Sequence, residues 1–281
     1  MAFPRSVFPH QASLSVALRI GLALALAGGL AQPAFAQASG DDDISPDRPG
    51  FGASSDTVGR GRVQLEASVQ WERQRDDGKH ERALSTPALL RIGVGDELEL
   101  RLETDGRDVI HDVDPATGER STTVGYADTA LGFKWKLAEQ QGARPALALL
   151  GEVDLPSGSR QLRGRGARPA AYVPMSWDLA GGINLQLMPG LATENDERGA
   201  RYRYGFLALS VSRAIDERLQ GYVELAAPQI ARAQHGGTQA AVDGGFMFKL
   251  SKDCQLDASL VHGLNRRTPD LGVALGVSVR R

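Results

Sequence analysis

The chain has 281 residues, a formal charge of −2 and a single cysteine. The balanced charge excludes a nucleic-acid binder held by net positive charge, and one cysteine excludes a disulfide scaffold or a cysteine-clustered metal site. A 42% hydrophobic share excludes a disordered chain.

Residues 1–36 read as a cleaved signal peptide. Arg5 and Arg19 supply positive charge, Ile20 to Ala31 is an apolar run, and Ala34-Phe35-Ala36 fits a small-x-small cleavage site. The run is shorter than the roughly 20 residues of a spanning helix. No later segment is long and apolar enough to be one, but an exported chain can enter a membrane as a closed barrel. Cys254 reads as a small buried or turn residue.

Residues 37–61 form a polar lead-in, a candidate plug. Its Gly, Pro and Ser content keeps it from being a helix or a long strand.

Strict alternation begins at Arg62. Val63, Leu65, Ala67, Val69 and Trp71 alternate with polar residues up to Glu72. Leu98, Leu100 and Leu102 repeat the pattern, as do Leu131, Phe133, Trp135 and Leu137, and then Leu271 to Val279. Period two marks strands with one apolar face. The pattern predicts twelve: 62–72, 84–93, 97–104, 122–137, 144–155, 170–179, 183–192, 201–213, 218–227, 238–250, 255–264 and 270–280. Connections after even strands are short. Those after odd strands are mostly longer: 73–83, 105–121, 156–169, 193–200 and 228–237.

This is the signature of an all-β fold, a single antiparallel transmembrane β-barrel over 62–281, with both termini periplasmic in the Gram-negative outer membrane. A soluble periplasmic β-sandwich also alternates. Charge on the second face of the first and third strands suits a wet lumen better. Trp71, Trp135, Trp177, Tyr202 and Tyr204 are candidates for the aromatic girdles.

The order of short motifs resembles a known family. Asp47-Arg48-Pro49, Ser54-Ser55, Gln64-Leu65-Glu66, Thr86-Pro87 with Leu89 to Gly93, Glu97 to Leu102, Leu155-Pro156-Ser157-Gly158 and Gly263-Leu264-Asn265 stand as they do in outer-membrane proteins described as "putative MetA-pathway of phenol degradation". The resemblance implies a barrel that transports small solutes, loosely tied to aromatic catabolism. One departure is the ending Val279-Arg280-Arg281, where such barrels usually end on an aromatic residue read by the barrel assembly machinery.

The apolar phase points the opposite residues inward. Lumen-lining candidates are Arg91, Glu99, Arg101, Asp128, Lys134, Glu152, Asp154, Glu224, Asp243, Lys249 and Asp257, with Glu66, Glu97, Glu103, Lys136 and Arg280 in the same phase. Mixed charge either lines an aqueous route or knits a filled, non-conducting structural barrel. Asp47 and Arg48 are candidate anchors of the lead-in. Arg160, Arg163, Arg165 and Arg168 fall in a stretch without acids, and arginine forks match the phosphates of outer-membrane lipids.

The histidines form no His-x-Ser pair, and no Gly-x-Ser-x-Gly elbow occurs, so a hydrolase is disfavoured. Asp112-Val113-Asp114 with Gly118 lacks the spacing and terminal Glu of a calcium loop. No enzyme activity, cofactor, metal or nucleic acid is expected. The expected partners are lipids, the assembly machinery and a small solute.

Overall fold

The computed structural model describes residues 43–76, 79–196 and 198–281. The signal peptide predicted over 1–36 lies outside these residues. Sixteen strand segments form one sheet: β1 (Val63–Asp76), β2 (Lys79–Ser85), β3 (Ala88–Gly93), β4 (Leu98–Thr104), β5 (Arg107–Val113), β6 (Arg120–Tyr126), β7 (Thr129–Ala138), β8 (Ala146–Leu155), β9 (Arg168–Tyr172), β10 (Met175–Leu179), β11 (Ile183–Asn195), β12 (Arg201–Ala214), β13 (Leu219–Ile230), β14 (Gln239–Ser251), β15 (Cys254–Gly263) and β16 (Leu271–Arg280). All pairings are antiparallel, and β1 pairs with β16 to close the ring. At the seam Val63 N donates to the Arg281 carbonyl, and Arg281 N to the Val63 carbonyl, both at 2.8 Å.

Four wall strands are each built of two segments: β2 with β3, β4 with β5, β6 with β7, and β9 with β10. Two of the breaks fall at Thr86-Pro87 and Val173-Pro174, where a proline cannot donate to the ladder. Another falls at Gly106, whose φ of 79° leaves the strand region. The wall therefore has the twelve strands that the alternation predicts.

The two faces have inverted polarity. Outside stand Leu100, Leu131, Leu209, Val223, Leu260 and Leu275, all exposed. Inside, Gln64, Glu66, Arg91, Glu99 and Lys134 are fully buried. A soluble sandwich would do the reverse, and this distribution is stable only with lipid outside. Closure matters equally, because a ring leaves no unpaired edge in hydrocarbon.

One end holds the short turns 94–97, 139–145, 180–182, 215–218 and 252–253, and also Arg281. The other end carries 114–119, 156–167, 231–238 and 264–270. Short turns with the termini mark the periplasmic end. Two expected loops are largely strand: β1 and β2 extend through much of 73–83, and β5 and β6 through much of 105–121. The reason is chemical. Beyond the lipid band the outward residues become Arg73, Arg75, Arg82 and His111, so hydrophobic alternation fades while the ladder continues. β6 pairs with β5 on one side. Its other side meets the 156–167 loop, through Tyr126 N to Ser159 Oγ and Ser159 N to the Tyr126 carbonyl, both 2.8 Å.

Candidate functional site

The lead-in occupies the lumen. Ile44 N donates to the Lys252 carbonyl (2.7 Å), and Thr57 Oγ1 donates to the Asp96 carbonyl (2.7 Å). Both partners lie in periplasmic turns, so residues 45–56 enter from that end and return to it. Pro46, Pro49, Gly50 and Gly52 prevent a strand. The backbone donors must then find side chains. Asp47 N and Arg48 N donate to Glu66 Oε2 at 3.0 and 3.1 Å. Phe51 N donates to Glu224 Oε1 at 2.8 Å, and Val58 N to Glu99 Oε2 at 2.9 Å.

Beneath this run lies a charge cluster from β1, β3, β4, β7 and the lead-in. Arg91 reaches Glu99 (2.8 Å), Glu66 (3.0 Å) and the carbonyls of Ser45 and Asp56 (both 2.9 Å). Lys134 Nζ lies 2.8 Å from Asp47 Oδ1, and Arg101 lies 2.5 Å from Asp47 Oδ2 and 3.0 Å from Glu99. Three acids, Asp47, Glu66 and Glu99, face three bases, Arg91, Arg101 and Lys134, and the buried set is neutral. Burial opposes ionisation of Asp47, which stands on the lead-in and not on a spanning strand. Arg91, Lys134 and Arg101 nonetheless hold its carboxyl well below the usual carboxylate range.

Arg48 points the other way and pairs with Asp257 on β15 at 3.0 Å. Gly276 leaves the room for this pair, since a Cβ there would come within 2.5 Å of Arg48 Nε and 2.6 Å of the Asp257 carboxylate. Near the periplasmic rim Lys249 pairs with Asp43, Arg280 with Asp253 (2.8 Å) and Lys136 with Asp56 (3.1 Å). Glu97 is not in the lumen but exposed in the 94–97 turn.

The outer half of the lumen is acidic. Arg168 is buried there, 2.8 Å from Asp128, 3.4 Å from Asp154 and 3.2 Å from Glu194. This corrects its expected place among lipid ligands. Its Cα pairs with Asp154 at the start of β9, and its side chain is turned inward by the acids. Arg160, Arg163 and Arg165 stay exposed. Glu103 and Glu152 share the inward phase, and Asp243 accepts from the Tyr222 hydroxyl at 2.8 Å beside Glu224.

Asp128 also accepts from Gly158 N and Gly164 N, both at 2.8 Å, and so ties the 156–167 loop to the wall. Hydrogen bonds to a charged acceptor contribute about 1.5–3 kcal/mol each. Asp128→Asn is therefore expected to speed tryptic cleavage after Arg160 and Arg163 by about tenfold or more. Limited proteolysis of the folded barrel reads this directly.

Between the lead-in and β10–β15 runs a cavity of about 300 Å³. Ser176, Asn184, Gln186, Ser210, Ser212, Gln220 and Gln255 line it, and Glu139 and Gln140 of a periplasmic turn stand at its mouth. Sequence reasoning passed over these neutral residues because it followed charge, though the phase of β12 already turns Ser210 and Ser212 inward. It also missed an apolar floor above the lead-in: Ala53, Leu150 and Met188, with Tyr172 and Phe206 packed against them. Tyr172 meets Phe206 edge-on at 5.1 Å, and Tyr202 stacks on His235 at 4.5 Å. Tyr202 and Tyr204 are thus lumenal, in phase with Ala208 and Ser210, and are not girdle residues. Trp71, Trp135 and Trp177 share the outward phase with the lipid-facing leucines. Among the described residues no cluster of His, Cys, Asp or Glu is placed to hold a metal.

The family model described as "Putative MetA-pathway of phenol degradation" matches residues 46–280. The chain belongs to that family. The match spans the wall and the lumenal lead-in together. Among solved structures, the COG4313 outer membrane channel of Pseudomonas putida F1 is similar at 13% identity and a TM-score of 0.63, covering 88% of this chain and 100% of that one. The β domain of the Bordetella autotransporter BrkA is similar at 12% identity and a TM-score of 0.52, covering 77% and 98%. The translocator domain of NalP from Neisseria meningitidis is similar at 11% identity and a TM-score of 0.51, covering 80% and 89%. At such identities the likeness establishes the outer-membrane barrel fold. No protein of curated function matches the sequence significantly.

Proposed function

We propose that this member of the phenol-degradation family is an outer-membrane channel or transporter for small solutes, with residues 43–61 as a plug anchored by Asp47 and Arg48. The polar cavity beside the lead-in carries the reading. A wall closed only for strength gains nothing from a row of hydroxyl and amide groups around open space. A wet passage can use them to replace a solute's hydration as it moves. Aromatic or phenolic solutes fit the family description. They also fit the outer lumen, where Tyr172, Tyr202, Tyr204 and Phe206 offer ring faces and edges. The reading assigns no catalytic residue and no cofactor.

Ser210→Trp tests it, because the new side chain fills the cavity from β12 and replaces no charged residue. Planar-bilayer conductance is expected to fall severalfold while heat-modifiable gel mobility stays unchanged. A wild-type barrel that conducts nothing, or a variant that conducts as well as wild type, would overturn the passage.

A further inference from the structure

We propose that the outer exterior of β1, β2 and β5 is a binding site for the phosphate groups of outer-leaflet lipopolysaccharide, with Arg73 and Arg82 as its centre. The inference needs the orientation of the barrel, and it does not depend on whether the barrel conducts.

Three cross-strand rows define the surface. In the innermost row Trp71 pairs with Leu84, Leu84 with Val109 and Val109 with Val124. One pleat outward, Arg73 pairs with Arg82, Arg82 with His111 and His111 with Thr122. A further pleat on, Arg75 pairs with His80. The exterior thus changes from apolar to basic within one pleat, at the end of the barrel that faces the outer leaflet. Lipid phosphates lie at that boundary between hydrocarbon and water.

The pairing of Arg73 with Arg82 is the decisive detail. Directly opposed residues stand about 4.5–5.5 Å apart at Cβ, and like charges there destabilise a sheet. Neither arginine has an acidic partner among the described residues. Arg73 Nε is enclosed and has no acceptor. Asp270, the nearby acid, spends one oxygen on the Arg75 backbone amide at 2.8 Å. His111 stands beside Arg82 in the same row, 3.0 Å from the Thr122 hydroxyl. Two guanidinium groups without acidic partners, facing lipid headgroups, match a phosphate better than a carboxylate or water. Arg160, Arg163 and Arg165 extend the basic surface past β6 on the same end of the barrel.

The test uses the folded full-length barrel in detergent, in a Trp135→Phe/Trp177→Phe background that leaves Trp71 as the reporter one row below the arginines. Titration with bis-phosphorylated lipid A is expected to shift Trp71 emission saturably. Arg73→Gln/Arg82→Gln is expected to weaken binding by about tenfold or more, the loss of charge-assisted hydrogen bonds. The same pair of changes removes the like-charge contact, so the lipid-free barrel is expected to become more heat-resistant. Arg73→Lys/Arg82→Lys, which keeps charge and loses the forks, is expected to bind with intermediate affinity. Unchanged affinity in the glutamine variant would overturn the site. So would equal binding of dephosphorylated lipid A, or inorganic phosphate binding as tightly as lipid A, which would assign the patch to a free anion.

Discussion

Replacing Asp47 and Arg48 together with alanine is expected to raise the conductance of the barrel severalfold and to lower its unfolding temperature. Both effects come from one arrangement. Asp47 completes a neutral set of three acids and three bases, and Arg48 holds the opposite wall through Asp257. Without Asp47, Arg91, Arg101 and Lys134 share Glu66 and Glu99, and one buried positive charge is uncompensated. Breaking a buried pair from one side costs about 3–5 kcal/mol. The lead-in also loses the ties of Asp47 to Arg101 and Lys134 and of Arg48 to Asp257, which loosens its hold in the lumen. Arg48→Ala likewise strands the buried Asp257 carboxylate, so adding Lys134→Met and Asp257→Asn, which removes both unpaired charges, is expected to recover most of the stability but not the closed conductance. That split separates charge balance from plugging. Wild-type conductance and wild-type gel mobility in the double variant would sink the anchoring role. The pH dependence has a definite sign. Asp47 is held below the usual carboxylate range, so its contribution is full above its unfolded value near about 4. It is lost only as pH falls through the lower folded value.

The barrel is legible in the sequence wherever lipid faces one side of a strand. Val63 to Trp71 and Leu271 to Val279 alternate without error, and they meet at the seam that closes the ring. The signal fails where the outside is water or headgroup. Arg73, Arg75, Arg82 and His111 take the outward places there, and β5 with half of β1 and β2 reads as loop. The charges of the lumen are readable from phase. Their partners are not, because Arg48 meets Asp257 across 209 residues and Lys134 meets Asp47 across 87, and only closure of the ring sets those distances. Arg168 shows the same limit from the other side. It sits among arginines in sequence, and Asp128, Asp154 and Glu194 gather around it only in the folded wall.

Those acids set the second large effect. Neutralising Glu103, Glu152 and Asp154 to Gln, Gln and Asn is expected to move the reversal potential in a KCl gradient from cation preference toward anion preference. The inner cluster is neutral, so it contributes little net field. The outer lumen is different: its five acids Glu103, Asp128, Glu152, Asp154 and Glu194 outnumber its bases, Arg168 among Asp128, Asp154 and Glu194, and Arg101, which holds Asp47 and Glu99 and reaches Glu103 only at 3.9 Å. An acidic mouth with low-dielectric walls focuses its field along the axis and enriches cations. The three changes leave Arg168 with Asp128 and Glu194, so the tie on the 156–167 loop survives and the wall stays intact. The consequence reaches solute choice. Wild type should admit neutral phenol in preference to benzoate, whose carboxylate meets the acidic mouth first, and the triple variant should narrow that ratio in a liposome-swelling assay. A reversal potential unmoved by the three changes would place the selectivity elsewhere, in the neutral passage beside Ser210 and Gln220. There, size and hydrogen bonding would sort solutes in place of charge.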